Sequence, residues 1–512
     1  MSGQTVHTIR RALALLARSA SYLLIWAGLV LLAAAGVIRH YWGPISVGQM
    51  RMNLMSVQTD GGGGSIVWVA VVVIGVLPVV LTLALAVGLH LWRRRSPAPR
   101  LSRRARVTAR SASALAVAAV VLGGSATFAS AVGLKQYVKA AKSSSDIGEY
   151  YADPAVTDAS GRRNVVVIYL ESGEQTLADD QLFEKNAFAP LEDVTTSEQG
   201  WSSVSDFQQY QGGGWTMAGL ASTQCGIPLK GAGAGVGEND IGGGMGEYLG
   251  GVTCLGDVLQ DHGYKNVFLG GANSSFAAKD VFLRTHGYTE DKGLQDWRAA
   301  GEPAENFRGD WGLSDERLMA HAKDEVDRLQ AEAQRTGQPF NLSMLTLDTH
   351  EPVHVYDSCS VDTQNQVTSV FACSMAQVAG FVQHMKDRGY LQDTSVVIMG
   401  DHLKHMSAGD AFHEQLDDNP DRSIFNRIWI PGETSGTTLR AGSNQLDMYP
   451  TLLEAAGLPP HDGRAGLGVS VRREDIPEGA AQSLDPADYS ELLASLSPRF
   501  YARAWNQPEP TG

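Results

Sequence analysis

Two separated segments carry side chains suited to holding a metal ion. Glu171 directly follows the apolar run Asn164-Val-Val-Val-Ile-Tyr-Leu170, and Asp401-His402 follows the run 395–399 through one glycine. Both runs are rich in β-branched residues, which is typical of strands buried on both faces of a parallel sheet. Ligands bind such sheets at the carboxyl ends of the strands, so these side chains are predicted to form half of a metal site. Helix capping is the alternative role for each acid.

Thr216 is a candidate nucleophile. It ends the segment Gly212-Gly-Gly-Trp-Thr216, and small apolar residues follow it. The glycines allow a sharp turn, and a helix is predicted to begin at about Thr216. Free amides at a helix N-terminus favour negative charge nearby, and a cation or base would lower the pKa of the hydroxyl. A plain N-cap threonine is the competing interpretation.

The elements that must position these residues alternate along the chain. Strand patterns recur at 164–170, 266–270, 340–346 and 395–399, and helical stretches include 315–334 and 375–388. This alternation predicts an α/β domain with a mostly parallel central sheet.

Three uncharged apolar runs of about 20 residues or more precede this domain, at 19–38, 66–92 and 112–132. They predict three transmembrane helices, with Pro78 inside the second. Two alternatives stay open: a cleaved signal peptide in the first run, and proteolytic trimming at 128–131.

The charges are unevenly distributed. Of the 41 Lys and Arg residues, fourteen lie at or before Lys135, where Asp60 is the single acid. The rest of the chain is strongly acidic, which argues against nucleic acid as a partner. Eight arginines and no acid lie between the second and third apolar runs. The positive-inside rule makes this loop cytoplasmic and places residues after about 134 outside the membrane.

The predicted organisation is a membrane domain at 1–134, a stalk at 135–163, an extracytoplasmic catalytic domain at 164–490 and a tail at 491–512. Residues 231–251 are glycine-rich and are interpreted as a flexible flap. All four cysteines lie in the outer domain, where disulfides persist. Sequence proximity favours Cys225 with Cys254 and Cys359 with Cys373, although four cysteines allow three pairings.

Four ordered motifs resemble one known family. They are Tyr169-Leu-Glu171-Ser, Gly214-Trp-Thr216-Met-Ala-Gly-Leu-Ala-Ser-Thr-Gln-Cys225-Gly-Ile-Pro-Leu229, Cys254-Leu-Gly-Asp257 and Gly400-Asp401-His402-Leu. They resemble the phosphoglycerol transferases of the alkaline phosphatase superfamily, which include lipoteichoic acid synthases and enzymes that decorate periplasmic glucans. Gln224-Cys-Gly-Ile-Pro228 and Asp401-His-Leu403 bring the chain closer to the second group. The likeness covers about residues 164–471.

The resemblance implies one divalent ion, usually manganese, bound by the residues matching Glu171, Thr216, Asp401 and His402. Three oxygen donors and one imidazole suit Mn²⁺ or Mg²⁺, and Zn²⁺ stays open. The second metal cluster of alkaline phosphatases has no ligand set here besides a lone His461.

The implied reaction moves glycerol phosphate from phosphatidylglycerol to Thr216, releasing diacylglycerol, and then to a hydroxyl of an envelope glycan or glycolipid. His350 matches a family histidine that contacts the transferred group, and it is a candidate acid or base. Further candidates lie in segments that would frame the phosphoglycerol group: Arg284, His286, Trp311 with Asp315, and Lys404 with His405. For the arginine, simple solvation is the alternative.

Other activities use the same kind of site. Phosphoethanolamine transfer and phosphodiesterase or sulfatase-type hydrolysis are the nearest rivals, and a non-catalytic envelope protein that binds a glycan or lipid headgroup is a rival of another class. Sulfatases need a Cys or Ser in a modification motif at the nucleophile, and Thr216 lies in none.

Overall fold

In this computed structural model, the described residues are 3–43, 45–47, 50, 64–95, 102–231, 246–405, 411–433 and 439–507. They belong to two compact units, an N-terminal helical unit and a larger α/β unit. Most of the glycine-rich segment interpreted as a flap lies outside the described residues.

The helical unit contains the three predicted apolar helices. Three stretches are long and apolar enough to cross a membrane: Ala12–Tyr41, Ile66–Arg95 and Arg103–Ala131. The helices that form them are α1 (Gly3–Tyr41), α2 (Gly64–Ala70), α3 (Leu77–Arg95) and α4 (Arg103–Ala131). A π-helical segment, Val71–Val76, joins α2 to α3 within the second stretch.

Helices α1 and α4 pack closely where two glycines meet. A Cβ atom on Gly124 would lie 2.2 Å from the carbonyl oxygen of Gly28. Small residues let helix backbones approach in this way within a bilayer. Nearby, the guanidinium of Arg39 donates to the hydroxyl of Ser130 at 3.0 Å.

The α/β unit contains a six-stranded sheet in the order β3-β2-β4-β1-β5-β6. Strand β6 is antiparallel to β5, and the other neighbouring pairs are parallel, as predicted. The strands are β1 (Asn164–Leu170), β2 (Lys265–Gly270), β3 (Glu290–Lys292), β4 (Phe340–Leu345), β5 (Thr394–Gly400) and β6 (Asn426–Trp429), with a separate hairpin of β7 (Arg464–Ala465) and β8 (Gly468–Val469).

Each face of the sheet packs into its own hydrophobic core. Along β1, Val165, Val167 and Tyr169 join one core, whereas the alternate residues Val166 and Ile168 join the other. This two-sided burial explains why the strand is a continuous apolar run.

Helices cover both faces of the sheet. The helix predicted at 375–388 begins nine residues earlier, because the side chain of Asn365 caps it by accepting from Val367 N. After α4 the helices are α5 (Leu134–Ala140), α6 (Ala189–Glu192), α7 (Thr216–Cys225), α8 (Leu255–Asp261), α9 (Lys279–Thr285), α10 (Leu294–Ala299), α11 (Asp315–Thr336), α12 (Gln366–Asp387), α13 (His413–Leu416), α14 (Met448–Ala455), α15 (Pro486–Ala494) and α16 (Pro498–Ala504).

The segments predicted to be an exposed stalk and tail contain buried residues of this unit. Ile147, within the predicted stalk, is fully buried in the core beside β1, and its amide donates to the hydroxyl of Ser497. Up to residue 507, the predicted tail also contributes buried residues, including Phe500 and Tyr501. From Lys139 up to residue 507, the described parts of both segments therefore belong to the α/β unit, and their apolar side chains join the core on one face of the sheet.

Replacing Phe500 with alanine tests this correction. Its ring is 4% exposed and lies 5.2 Å from the ring of Tyr151, between centroids. We expect Phe500→Ala to lower the free energy of unfolding by about 3 to 5 kcal/mol, measured by urea denaturation of the full chain in detergent. Arg499→Ala, at an exposed neighbour, should change it by no more than about 0.5 kcal/mol. Equal effects of the two substitutions would contradict the burial of this segment.

Candidate active site

Two acids lie side by side where β1 and β5 end. Leu170 pairs with Gly400 in the parallel register, so the next residues, Glu171 and Asp401, leave the sheet at the same edge. The amide of Asp401 also donates to the carbonyl of Leu170 at 3.1 Å. Glu171 is 2% exposed and Asp401 is fully buried.

Thr216 meets these acids from the start of α7. A Cβ atom on Gly219 would lie 2.2 Å from the carbonyl oxygen of Asp401, so the absence of a side chain lets α7 approach the strand end. Thr216 is the first helical residue and Trp215 occupies the N-cap position. The Thr216 hydroxyl donates to Glu171 Oε2 at 3.3 Å. The hydroxyl is therefore directed at the acids instead of capping its own helix.

His402 presents a free ring nitrogen to the same acids. Its Nδ1 donates to the carbonyl of Leu403 at 2.7 Å, because a carbonyl can only accept. Its Nε2 lies 3.6 Å from Glu171 Oε1 and 3.5 Å from Asp401 Oδ2. A backbone acceptor on one nitrogen, with the other directed at the ligand, is the usual arrangement of a metal-binding histidine.

The unbalanced negative charge of this cluster fits a bound cation. Asp401 Oδ1 accepts from the amides of Ser172 and His402, whereas its buried Oδ2 has no hydrogen-bond partner. Burial, and then the charge of Glu171, raise the pKa of Asp401 to about 7. Although burial disfavours the charged ring, the carboxylates of Asp401 and Glu171 raise the pKa of His402.

The donor set suits a hard divalent ion. The ligand atoms of Glu171, Asp401 and His402 lie within 4.8 Å of one another. Oxygen donors with one imidazole suit Mn²⁺ or Mg²⁺. The other comparable group among the described residues contains Cys225 and Cys254, which are joined in a disulfide and so provide no thiolate. The structure also joins Cys359 to Cys373, which is the pairing favoured by sequence proximity.

His350 lies beside Trp311 in the turn after β4. The two rings are 4.0 Å apart between centroids, and the buried indole N–H of Trp311 has no acceptor among the described residues. His350 Nδ1 donates to the carbonyl of Glu351, which leaves Nε2 able to accept a proton. Burial lowers the pKa of His350, so its ring is neutral at neutral pH.

Asp315 supports this turn from the start of α11. Its carboxylate accepts from the amides of Leu347 and Asp348 and from the hydroxyl of Ser374. Its contacts are with the backbone that carries His350, so its role is to position that turn.

Two predicted substrate residues lie in other surroundings. His286 is 1% exposed, and its nitrogens contact Asp257 Oδ2 at 2.7 Å and the carbonyl of Tyr248 at 2.9 Å. Both nitrogens are engaged by the protein near the disulfide of Cys254, and a substrate-binding role for His286 stays a prediction. The side chain of Arg284 is 62% exposed and lies 3.9 Å from Asp280. This agrees with the alternative that the arginine is simply solvated.

Lys279 is a residue that sequence reasoning missed. It is 5% exposed, and its ammonium makes no hydrogen bond or ion pair with the described residues. A Cβ atom on Gly270, the last residue of β2, would lie 3.9 Å from Nζ, which places the charge at the carboxyl edge of the sheet. Burial lowers its pKa to about 8, against the opposing charges of Asp291 and Glu171. The sequence signal was a lysine opening a short helix after a strand end.

Lys404 and His405 follow the metal-site pair closely, as expected. Lys404 is buried, and its ammonium donates to Glu351 Oε1 at 2.9 Å. The ring of His405 lies 4.9 Å from that of His402, and burial lowers its pKa. Lys404 is thus paired with a protein carboxylate, whereas the imidazole of His405 lies next to that of His402.

The fold and this site define an α/β protein of the alkaline phosphatase superfamily. A profile of the Sulfatase family matches residues 163–458, which is more than half of the chain. The chain belongs to that family.

The chain is also similar to named relatives. Phosphoglycerol transferase I of Escherichia coli O139:H28 is 30% identical over 379 residues, covering 71% of this chain and 45% of the relative. Phosphoglycerol transferase I of Salmonella arizonae is 30% identical over 383 residues, with the same shares. The chain therefore spans less than half the length of these relatives. A solved alkaline phosphatase superfamily protein from Vibrio parahaemolyticus is 16% identical, with a TM-score of 0.49 over 73% of this chain and 97% of the other.

Thermal unfolding with and without manganese tests the metal site. A ligand that binds only the folded protein stabilises it by about 2.7 kcal/mol at a hundredfold its Kd. We expect Mn²⁺ to raise the melting temperature of the EDTA-treated chain, and Asp401→Ala to abolish that rise because a ligand is lost. Glu198→Ala, at an exposed acid, should retain it. An unchanged rise in Asp401→Ala would place the ion elsewhere.

Proposed function

We propose that this chain is a membrane-bound, metal-dependent phosphoglycerol transferase. In this proposal, glycerol phosphate passes from phosphatidylglycerol through a Thr216-linked intermediate to a hydroxyl of a cell-envelope glycan or glycolipid. The observation that carries it is the Thr216 hydroxyl, which donates to Glu171 inside a buried cluster with Asp401 and His402. The similarity to phosphoglycerol transferases I supports the choice of group transferred.

Thr216 takes the role of nucleophile. Glu171, Thr216, Asp401 and His402 would hold a divalent ion, with Mn²⁺ the expected metal, and that ion would lower the pKa of the Thr216 hydroxyl and neutralise charge on a phosphoryl oxygen. The Thr216 oxygen bonds to phosphorus as its proton leaves, and the bond from phosphorus to the diacylglycerol oxygen breaks. That oxygen takes up a proton, so diacylglycerol is the first product.

His350 takes the role of proton carrier. Its Nε2 is free because Nδ1 donates to Glu351, and burial favours the neutral ring. A neutral imidazole can accept the proton of an acceptor hydroxyl, and an imidazolium can protonate a leaving oxygen. In the second step the acceptor oxygen bonds to phosphorus, the bond to Thr216 breaks, and Thr216 regains a proton.

Lys279 takes the role of a phosphate partner. A buried ammonium that makes no direct hydrogen bond or ion pair with the described residues is stabilised when an anion binds it. Its position at the end of β2, near the charges of Glu171 and Asp401, suits the anionic headgroup of the donor. The unpartnered indole N–H of Trp311 is a further donor for the glycerol phosphate group.

The proposed orientation places the α/β unit outside the cytoplasmic membrane. It rests on the eight arginines between the second and third apolar helices and on the four disulfide-bonded cysteines. A catalytic unit tethered to the bilayer on that side has direct access to a phospholipid donor and to envelope glycans.

Cleavage of fluorescent phosphatidylglycerol by the membrane-embedded protein tests the mechanism. With Mn²⁺ present we expect diacylglycerol release, and we expect Thr216→Ala to reduce it by about a thousandfold or more because the nucleophile is lost. Thr216→Ser should retain measurable release, since it keeps a hydroxyl.

Three outcomes would contradict the proposal. The transferase mechanism fails if Thr216→Ala releases as much diacylglycerol as the unchanged protein. Equal cleavage of phosphatidylethanolamine would instead favour the phosphoethanolamine alternative. Release of free glycerol phosphate, with water as the acceptor, would favour a hydrolase.

The pH dependence of donor binding tests Lys279. Because its pKa is about 8, the ammonium is charged below that pH and is lost as the pH rises through it. We expect the donor KM to rise above pH 8 in the unchanged protein and to stay low in Lys279→Arg, whose guanidinium keeps its charge. Lys279→Met should raise KM about tenfold or more below pH 8, where the unchanged lysine is charged, and the difference should shrink above it. A donor KM in Lys279→Met equal to that of the unchanged protein at pH 7 would remove this residue from the site.

A further inference from the structure

A buried glutamine lies where the loop that leads to Thr216 meets the loop after β5, which carries the metal-site pair. Gln445 is fully buried, and it opens the 3₁₀ turn Gln445–Asp447 before α14. The side chain of Asn444 caps this turn, and the Asp447 carboxylate accepts from the Asn444 amide in return. This reciprocal capping fixes the backbone from which the Gln445 side chain extends.

The carboxamide of Gln445 connects the two loops. Its Nε2 donates to the carbonyl of Asp401 at 2.7 Å and to the carbonyl of Gly213 at 3.3 Å. Its Oε1 accepts from the amide of Tyr210 at 3.3 Å. A carboxamide has two N–H donors and one carbonyl acceptor, so both kinds of group are used. One side chain thus binds the backbone of a metal-site acid and the backbone three residues before the proposed nucleophile.

Glycines allow the close approach on both sides of this contact. A Cβ atom on Gly213 would lie 2.3 Å from Gln445 Oε1, and one on Gly219 would lie 2.2 Å from the Asp401 carbonyl oxygen. A side chain at either position would displace its neighbour. The Asp401 carbonyl therefore accepts from Gln445 and also lies against α7, the helix that begins at Thr216.

A second glutamine connects the same two loops. Gln209 Oε1 accepts from the amide of Leu403 at 2.9 Å. A Cβ atom on Gly214 would lie 2.9 Å from Gln209 Nε2, so this side chain packs against the glycine two residues before Thr216. The loop that leads to Thr216 is therefore attached to the loop after β5 at two points.

The carboxylate of Asp401 is held by other groups. Its Oδ1 accepts from the amides of Ser172 and His402, both at 2.9 Å. Loss of the Gln445 carboxamide would leave these hydrogen bonds in place and would release the backbone of Gly213. We therefore expect such a loss to move Thr216 relative to the metal ligands, while the metal ligands stay together.

We propose that Gln445 is a positioning residue, which holds the Thr216 hydroxyl at the distance from the metal ligands that phosphoryl transfer requires. The inference rests on the proposed transferase function and adds to it the residue that fixes the nucleophile. Phosphoryl transfer needs the attacking and leaving oxygens roughly in line. A misplacement of about 1 Å can lower the rate about a hundredfold. Gln445 acts through the backbone of Asp401 and Gly213.

Gln330 provides a matched control. It is 3% exposed, its Oε1 accepts from the Asn164 side chain at 3.3 Å, and its Nε2 donates to Asp393 Oδ2 at 2.7 Å. Asn164 opens β1 and Asp393 precedes β5, so Gln330 connects the amino ends of the two strands whose carboxyl ends carry the site. Methionine is unbranched and has no N–H donor, so it removes buried hydrogen bonds at either glutamine.

Diacylglycerol release by the full-length protein, with phosphatidylglycerol and Mn²⁺, tests the role of Gln445. We expect Gln445→Met to lower kcat about a hundredfold and to change the donor KM by less than about threefold. Gln330→Met should change kcat by less than about threefold. Both variants should keep the rise in melting temperature that Mn²⁺ causes in the EDTA-treated protein. Gln445→Glu has the same shape without the N–H donors, and it takes the place of Gln445→Met if that variant does not fold.

Equal falls of kcat in Gln445→Met and Gln330→Met would overturn the inference, as would an unchanged kcat in Gln445→Met.

Amide hydrogen exchange, followed by mass spectrometry, separates this inference from the proposed function because it needs no substrate. We expect Gln445→Met to raise exchange in residues 209–219, and Gln330→Met to leave exchange there unchanged. Raised exchange, without any diacylglycerol release by the unchanged protein, would support the hold of Gln445 on this loop and reject the transferase. Unchanged exchange of residues 209–219 in Gln445→Met would overturn the inference, whatever the activity.

Discussion

Two carboxylates buried at adjacent strand ends impose the main constraint on this domain. Like charges a few ångströms apart in a protein interior repel by several kcal/mol at an effective dielectric constant of about 20. Glu171 and Asp401 stay together because parallel β1 and β5 end in register, and no rearrangement of side chains alone can separate them. A proton or a cation must compensate, and the His402 Nε2 directed at both acids, together with the Asp401 Oδ2 that has no hydrogen-bond partner, favours a cation.

Hydrogen bonds and ion pairs connect the loops that carry the site. Glu174, after β1, binds Arg422 and the backbone of Lys404, after β5. Lys404 in turn pairs with Glu351, after β4, at 2.9 Å. Three strand ends are therefore joined, by the hydrogen bond from the Lys404 amide to Glu174 and by the ion pair of Lys404 with Glu351, and loss of either partner of that pair would leave a charge without a partner. Such cross-links keep metal ligands and the His350 turn in a fixed geometry, which a transferase needs at both steps.

The sequence was most informative where local pattern and burial coincide. The apolar runs predicted the four longest strands, and the carboxyl-end rule predicted that Glu171 and Asp401 would meet. Lys279 was missed because an isolated lysine in a sequence is expected to be exposed, and only packing against β2 buries it. The surroundings of His286 could not be predicted for a related reason: its partners Asp257 and the Tyr248 carbonyl are 29 and 38 residues away in sequence. Sequence spacing alone does not reveal such pairings.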